Sequence, residues 1–462
     1  MSAHVFREYD IRGVADRDLT DDLVRKIGRG LGKMLRPESG AKLHPRIVVC
    51  RDCRRSGPRL FDALVHGLTE AGADVVDVGV GPTPLMYFGV HHLDADGGVM
   101  ITGSHNPGDE NGFKIMKGKA SFFGADLQKL AEYVVTSTEP LGPKGSVETL
   151  PIDDAYLDEL RRRIRLATTD MTVVIDAGNG AAGPLGLRAL RDTGLSPVAL
   201  YCDMNGSFPN HHPDPTVPKN LEVLIATVKE KKARVGIAWD GDGDRMGVVD
   251  ASGEIVWGDR LLALFARDVL SEKKGGAVIG EVKCSQSTYD DIAKHGGRPI
   301  MWKTGHSLIK TKMKQESAVL AGEMSGHFFF ADRYFGFDDG IYAALRLLEI
   351  LSRGPQTVVE LLRDLPQGVS TPELRVDCPD ALKFEVVAGV KERLRGKGEL
   401  NEIDGARITY TDGSWGLVRA SNTGPVIVLR FEAPTEARLA EVRAEVEALI
   451  AASRSDAERA RA

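Results

Sequence analysis

Thr102-Gly103-Ser104-His105-Asn106-Pro107 follows an apolar run over residues 98–101 and sets a hydroxyl on a turn beside a glycine. Gly103 can adopt backbone angles closed to other residues, and Pro107 stops a regular element from absorbing the loop. Ser104 is therefore expected at a surface rather than packed, as a reactive position. An ordinary strand-to-helix turn would look the same in isolation, so the surroundings decide.

Outward from this stretch, one order of elements occurs three times: strand, helix, strand, helix, strand. The first copy places strands at 46–50, 74–78 and 98–101 and helices at 58–71 and 85–91. Its first helix is well marked. Ser56 can cap it, Pro58 suits the first turn, Leu60, Phe61, Leu64, Val65 and Leu68 share one face, and Gly72 ends it. The second copy has strands at 172–175, 197–200 and 235–239 with helices at 185–192 and 221–231, and its last strand leads into Asp240. The third has strands at 277–279, 299–302 and 317–320 with helices at 287–294 and 307–314, leading into Gly322-Glu323-Met324-Ser325-Gly326-His327.

Such alternation predicts mostly parallel sheets with helices on both faces, and ligand sites beyond the carboxyl ends of the strands. After Pro366 the pattern changes to β-segments at 407–411, 416–419 and 426–431 and a helix over 436–451, an α+β module; residues 453–462 are expected to fray. The fold class is thus three repeated α/β domains, 1–150, 151–255 and 256–366, plus a C-terminal α+β domain, 367–462.

Composition bounds the function. The 462 residues, 42% of them hydrophobic, suffice for several cores, and a net charge of -6 provides no general basic field for nucleic acid or an anionic membrane. No apolar run reaches the ~18 residues of a membrane span, and the N-terminus, charged at Arg7, Glu8, Asp10 and Arg12, does not read as a signal peptide. A cytoplasmic protein is expected. Its five cysteines suit reduced thiols, and the Cys50-Arg51-Asp52-Cys53 pair lacks the second pair a zinc site needs.

Three loops carry chemistry besides the first. Asp240-Gly241-Asp242-Gly243-Asp244-Arg245 sets three carboxylates at alternate positions, where they would repel one another without a cation. Oxygen ligands favour Mg²⁺ or Ca²⁺; an EF-hand fails because its sixth and twelfth positions would be Arg245 and Ala251, so Mg²⁺ leads. Arg419-Ala420-Ser421-Asn422-Thr423-Gly424-Pro425 gathers a guanidinium, two hydroxyls and an amide around a glycine, which suits a phosphate dianion. Gly178-Asn179-Gly180-Ala181-Ala182-Gly183, with Asp203 twenty positions on, is a dinucleotide fingerprint and supports a second reading, an NAD(P)-dependent oxidoreductase. The other copies of the repeat lack that pattern.

Together with Tyr9-Asp10-Ile11-Arg12-Gly13, the loops at 102–107, 240–245, 322–327 and 419–425 resemble the α-D-phosphohexomutase family, nearest its bacterial phosphomannomutase/phosphoglucomutase branch, over essentially the whole chain. The resemblance implies four domains around a central cleft and reversible transfer of a phosphoryl group between the 1 and 6 positions of a hexose, through a bisphosphorylated sugar. Ser104 would be the phosphoserine and, with Asp240, Asp242 and Asp244, would hold Mg²⁺. His105, Arg245 and Arg12 would supply positive charge around the phosphoryl oxygens, and Lys114, His306 and His327 are the candidates for proton transfer. Glu323 and Ser325 would read the sugar hydroxyls O3 and O4, indifferent to C2, where glucose and mannose differ. Tyr9, His327, Lys283 and the Thr304-Gly305-His306-Ser307 stretch would add substrate contacts, while Arg419, Ser421, Asn422 and Thr423 would clamp the distal phosphate. Glucose 1,6-bisphosphate is the implied activator; small sugar phosphates are the expected partners, with no nucleic acid or membrane, and a monomer or weak dimer as the form. Cys50 and Cys53 depart from the smaller residues expected there, without touching the catalytic positions.

Overall fold

The computed structural model describes residues 3–36, 44–136, 143–366, 368–422 and 424–461. Their strands form four sheets. In the first, the order is Ile11–Val14, Glu110–Lys117, Gly97–Ile101, Arg46–Arg51, Asp74–Val80 and Val147–Thr149, with Ala120–Ser121 paired to Glu110–Lys117. The second runs Ile255–Val256, Met246–Asp250, Val235–Trp239, Val173–Asp176, Val198–Leu200, and the third Arg298–Trp302, Ala277–Glu281, Leu320–Gly322, Phe328–Phe330. The fourth is antiparallel throughout, built on Val426–Ala433 and Trp415–Ala420.

The centre of each α/β sheet is parallel, as the alternation of strands and helices requires. Each sheet also carries a strand that the alternation alone does not show. Gly97–Ile101, Val235–Trp239 and Leu320–Gly322 are each followed by an antiparallel return strand, in registers such as Met100↔Lys114, Trp239↔Met246 and Gly322↔Phe328. The loops bearing Ser104, the three aspartates and Glu323 are therefore hairpin tips, not entries to helices. A hairpin holds both ends of its loop by ladder hydrogen bonds, which fixes what the tip carries.

Local departures have local causes. Ser56 sits at the N-cap of Gly57–Glu70, but its side chain makes no cap bond; its Oγ accepts instead from Asn111 Nδ2 at 2.9 Å. The strand expected at 317–320 is Leu320–Gly322, because Ser317 takes φ 50° to end the helix His306–Glu316. The C-terminal helix runs unbroken over Glu436–Arg461, against the expected fraying. Ser453 and Ala457 are buried and extend the stripe of Val442, Val446 and Ile450, while Arg454 and Arg461 donate to the Asp377 and Ala381 carbonyls.

The first three sheets share one continuous apolar core, which joins Val48 and Tyr87 to Ile175 and Trp239 and to Leu262, Phe330 and Leu345. The fourth sheet packs on its own core of Val386, Leu429 and Val446, and meets the third through Val282, Trp415 and Leu417. All five cysteines are free thiols. Among the described residues no helix is long and apolar enough to cross a membrane.

Candidate active site

The three hairpin tips and the 419–425 loop converge on a cavity of about 1020 Å³. Arg12, His105 and Arg245 line one side, with Ser104 buried behind them. His306, Glu323, Ser325 and His327 line the middle, and Tyr9, Lys283, Arg419, Ser421 and Asn422 the far side. Thr423 lies outside the described residues.

Ser104 is 1% exposed, so the expectation of an openly presented residue is corrected. Its Oγ donates to Asp240 Oδ2 at 3.0 Å and lies 3.1 Å from His105 Nδ1. The backbone at Ser104 is left-handed, φ 50°, a conformation that a non-glycine residue keeps only when its surroundings enforce it. Here they do. Ser104 N–H donates to Thr102 Oγ1 at 2.7 Å, and Arg12 Nη1 holds Gly103 O at 3.2 Å and Asn106 Oδ1 at 2.8 Å. The second hairpin presses on the first: a Cβ at Gly241 would lie 2.3 Å from Ser104 O, so only glycine lets the two loops meet.

Asp240, Asp242 and Asp244 are fully buried, with one oxygen of each within 4.8 Å of the others. They are not uncompensated, as the loop read alone suggested. Lys114, from the return strand Glu110–Lys117, donates to Asp242 Oδ2 at 2.6 Å and to Asp244 Oδ2, and Thr83 Oγ1 donates to Asp242 Oδ2 at 2.5 Å. Burial and then repulsion from Asp242 and Asp244 push the Asp240 carboxyl well up. Burial opposes charge on Asp242 and Asp244 too, but Lys114 wins and holds both below the usual carboxylate range. Asp242 Oδ1 is buried without a hydrogen-bond partner, and Asp244 Oδ1 faces His327 Nε2 at 3.3 Å. Three clustered carboxylates with an unpartnered anionic oxygen among them are the donor set a hard divalent cation takes, so these residues fit a metal ion.

The imidazoles divide by charge. Burial drives the pKa of His306 and His105 well down, helped by Lys310 at the first and by Arg245 and Arg12 at the second. Burial acts against His327 as well, yet Asp244 at 3.3 Å and Glu323 at 2.9 Å flank it and raise it to about 9. Lys114 stays charged on the same balance, burial outweighed by Asp242 and Asp244. Near neutral pH the site thus offers a neutral base at His306 and cations at Lys114 and His327.

On the sugar side, Glu323 Oε1 accepts from Gly305 N–H at 2.8 Å, and Ser325 Oγ lies 3.3 Å from His327 Nδ1. Lys283 Nζ donates to Glu373 Oε2 at 2.9 Å, a link from the third domain to the fourth. Tyr9 donates its hydroxyl proton to Thr304 O at 2.9 Å and accepts from Asn422 Nδ2 at 2.6 Å, while Asp404 aims Arg419 through Nε at 2.9 Å. Sequence reasoning missed Thr83, Glu373 and Asp404, each a lone polar residue with no motif around it. It also missed His212, whose Nε2 touches the His105 carbonyl.

The dinucleotide fingerprint is closed by its own neighbours. Asn179 binds Asp203 O through Nδ2, receives Asn210 Nδ2 on its Oδ1, and takes Asn205 N–H on its carbonyl, while a Cβ at Gly178 would already press on Pro213. The residues 203–213 fill the place a pyrophosphate would need, so the turn serves packing.

A buried hydroxyl, bonded to an acidic cluster and fronting a cavity with a cationic far wall, is built to pass an anionic group between itself and a bound molecule: the class is group transfer. Four family descriptions match in succession: phosphoglucomutase/phosphomannomutase, alpha/beta/alpha domain I over residues 3–140, domain II over 154–253, domain III over 257–369, and the C-terminal domain over 373–449. The chain is 48% identical over 440 residues to a phosphomannomutase/phosphoglucomutase of Pseudomonas putida, covering 95% of this chain and 94% of that one. It is 44% identical over 450 residues to a phosphoglucomutase of Neisseria gonorrhoeae, covering 96% of each. A crystal structure of a phosphoglucomutase/phosphomannomutase family protein from Burkholderia thailandensis superposes with a TM-score of 0.90 at 43% identity, covering 97% of each chain. The chain belongs to the phosphoglucomutase/phosphomannomutase family and is a mutase; the oxidoreductase reading falls.

Proposed function

We propose that this mutase interconverts hexose 6-phosphates and hexose 1-phosphates, of mannose, glucose or both, through phosphorylated Ser104 and a hexose 1,6-bisphosphate. The observation that carries the reading is the bond from Ser104 Oγ to Asp240 Oδ2 at 3.0 Å, with the Tyr9, Asn422 and Arg419 side of the same cavity facing it. Asp240, Asp242 and Asp244, with an oxygen on phosphorylated Ser104, would hold Mg²⁺, which when bound neutralises charge on the phosphoryl group in transfer.

In the forward step a sugar hydroxyl oxygen bonds to the phosphorus as the bond from Ser104 Oγ breaks, and the hydroxyl proton leaves. His306, neutral and lining the cavity, with its buried Nδ1 turned toward Asp338 Oδ2 at 3.6 Å, receives that proton. Arg12, Arg245, Lys114 and His327 surround the developing charge. Glu323 and Ser325 hold two ring hydroxyls, and Arg419, Ser421, Asn422 and Thr423 hold the phosphate that does not react. The bisphosphate then turns end for end and returns a phosphoryl group to Ser104, with glucose 1,6-bisphosphate priming any unphosphorylated enzyme. Residues 1–150, 151–255, 256–366 and 367–462 act as the four working domains, the last as a lid because its core is separate. The working form is a monomer or weak dimer in the cytoplasm.

Coupled assays with glucose 1-phosphate and mannose 1-phosphate, with trace bisphosphate and Mg²⁺, test the reading. Turnover of at least one is expected. Binding of both without turnover by phosphorylated protein would refute it.

A further inference from the structure

Behind the Ser104 loop lies Arg54, whose side chain is fully buried. A guanidinium has five N–H donors in one plane, and here all five are used. Nε donates to Asp52 Oδ2 at 3.2 Å; Nη1 donates to the Pro107 and Glu110 carbonyls at 2.5 and 2.9 Å; Nη2 donates to the Ser104 and Asn106 carbonyls at 2.8 and 2.7 Å. Asp52 completes the unit. Its Oδ2 also accepts from Thr102 Oγ1 at 2.7 Å and Gly103 N–H at 3.3 Å, and its Oδ1 accepts from Arg54 N–H at 2.9 Å. Phe208 of the second domain covers the guanidinium, its ring centre 5.2 Å away.

We propose that Arg54, backed by Asp52, is the positioning residue that holds the nucleophile loop in its reactive shape. The inference rests on the mutase reading of Ser104. Four carbonyls of one loop converge on a single plane of donors, which pulls the chain between Ser104 and Glu110 into a tight arc and keeps Ser104 left-handed. Peptide planarity adds a second effect: turning the Ser104 carbonyl onto Arg54 turns the His105 N–H away from it, free to serve a phosphoryl oxygen on Ser104. No other side chain could take the place. Lysine has three donors on a point charge and cannot span four carbonyls.

The test separates positioning from folding. Arg54→Lys keeps the charge and loses the fork; a nucleophile misplaced by about 1 Å should cost about 100-fold in kcat, with KM changed less than about threefold. Phosphorylation of the purified variant by glucose 1,6-bisphosphate, followed by intact mass, should slow by the same factor per folded molecule, which a purely structural role would not produce. Gly103→Ala reaches the same contact from the other side, because its Cβ would lie 2.5 Å from Arg54 Cζ, and should show the same split. If Arg54→Lys does not fold, Gly103→Ala decides. A folded variant that phosphorylates and turns over at the wild-type rate overturns the inference. Failure of the mutase reading is distinct, since the wild-type protein itself would then not turn over.

Discussion

Lys114 Nζ lies 2.6 Å from Asp242 Oδ2 and also reaches Asp244, so an ammonium on one domain neutralises carboxylates on the next. It does so within the cluster where a metal ion fits. Lys114→Met removes this internal cation and leaves three buried carboxylates, a change of a kind that costs about 3 to 5 kcal/mol. The variant is expected to lose stability sharply in chelator and to regain most of it in Mg²⁺. Calorimetry in both conditions checks this: a gain from Mg²⁺ no larger than that of the wild type would rule out Lys114 and the metal as sharing one electrostatic role.

Chelation, or Asp242→Asn, should lower turnover about 100-fold or more while stability changes little, since one carboxylate fewer also relieves repulsion. Added Mg²⁺ should restore the chelated wild type. Undiminished turnover after exhaustive chelation would leave the carboxylate cluster needing another explanation.

Ser104→Ala should abolish normal turnover and leave hexose-phosphate affinity nearly intact, because among the described residues the side chain makes just two polar contacts, to Asp240 and His105. Intact-protein mass should show phosphate on the wild type at Ser104 and none on the variant. Full activity in the variant, with phosphate elsewhere, would remove the proposed mechanism.

What the sequence made legible was chemistry concentrated in short loops. The residues at 102–107, 240–245 and 322–327 carry their own turn-formers and functional groups, and the parallel strands before them are unbroken apolar runs. The return strands were hidden for physical reasons. Glu110–Lys117 mixes Asn111, Gly112 and two lysines, and Phe328–Phe330 is only three residues long, so neither shows alternation. Arg54 was equally invisible, since a charged residue after Cys53 reads as solvated until the fold buries it. Lys114 could be named as a candidate, but its pairing with Asp242 spans two domains and no local pattern encodes that.

The charge on His327 gives a pH signature in metal-free protein. Its pKa is raised above the ordinary histidine value to about 9, so its contribution to stability is fully present below about 6.5 and is lost as pH rises through about 9. The full shift corresponds to about 3 kcal/mol at most, and His327→Gln should flatten that part of the profile. Thermal melts of chelated wild type and variant between pH 6 and pH 10 decide it; parallel profiles would mean that His327 is neutral in the folded protein.

Arg419 is held by Asp404 at 2.9 Å, and its neighbour Asn422 reaches across to Tyr9 at 2.6 Å, so the fourth domain touches the first over the cavity. If this loop grips the phosphate that is not reacting, the bisphosphate must release both ring and phosphate to turn round, and the separate core of the fourth domain lets it open for that step. Arg419→Ala should weaken substrate binding and also lose more bisphosphate before the second transfer, because a looser clamp holds the turning intermediate less well. Losing a charge-assisted phosphate contact of this kind costs about 1.5 to 3 kcal/mol, or about 10- to 150-fold in affinity. Steady-state kinetics with and without added glucose 1,6-bisphosphate measure both effects. A variant with normal affinity and no greater dependence on added bisphosphate would rule out Arg419 as the clamp.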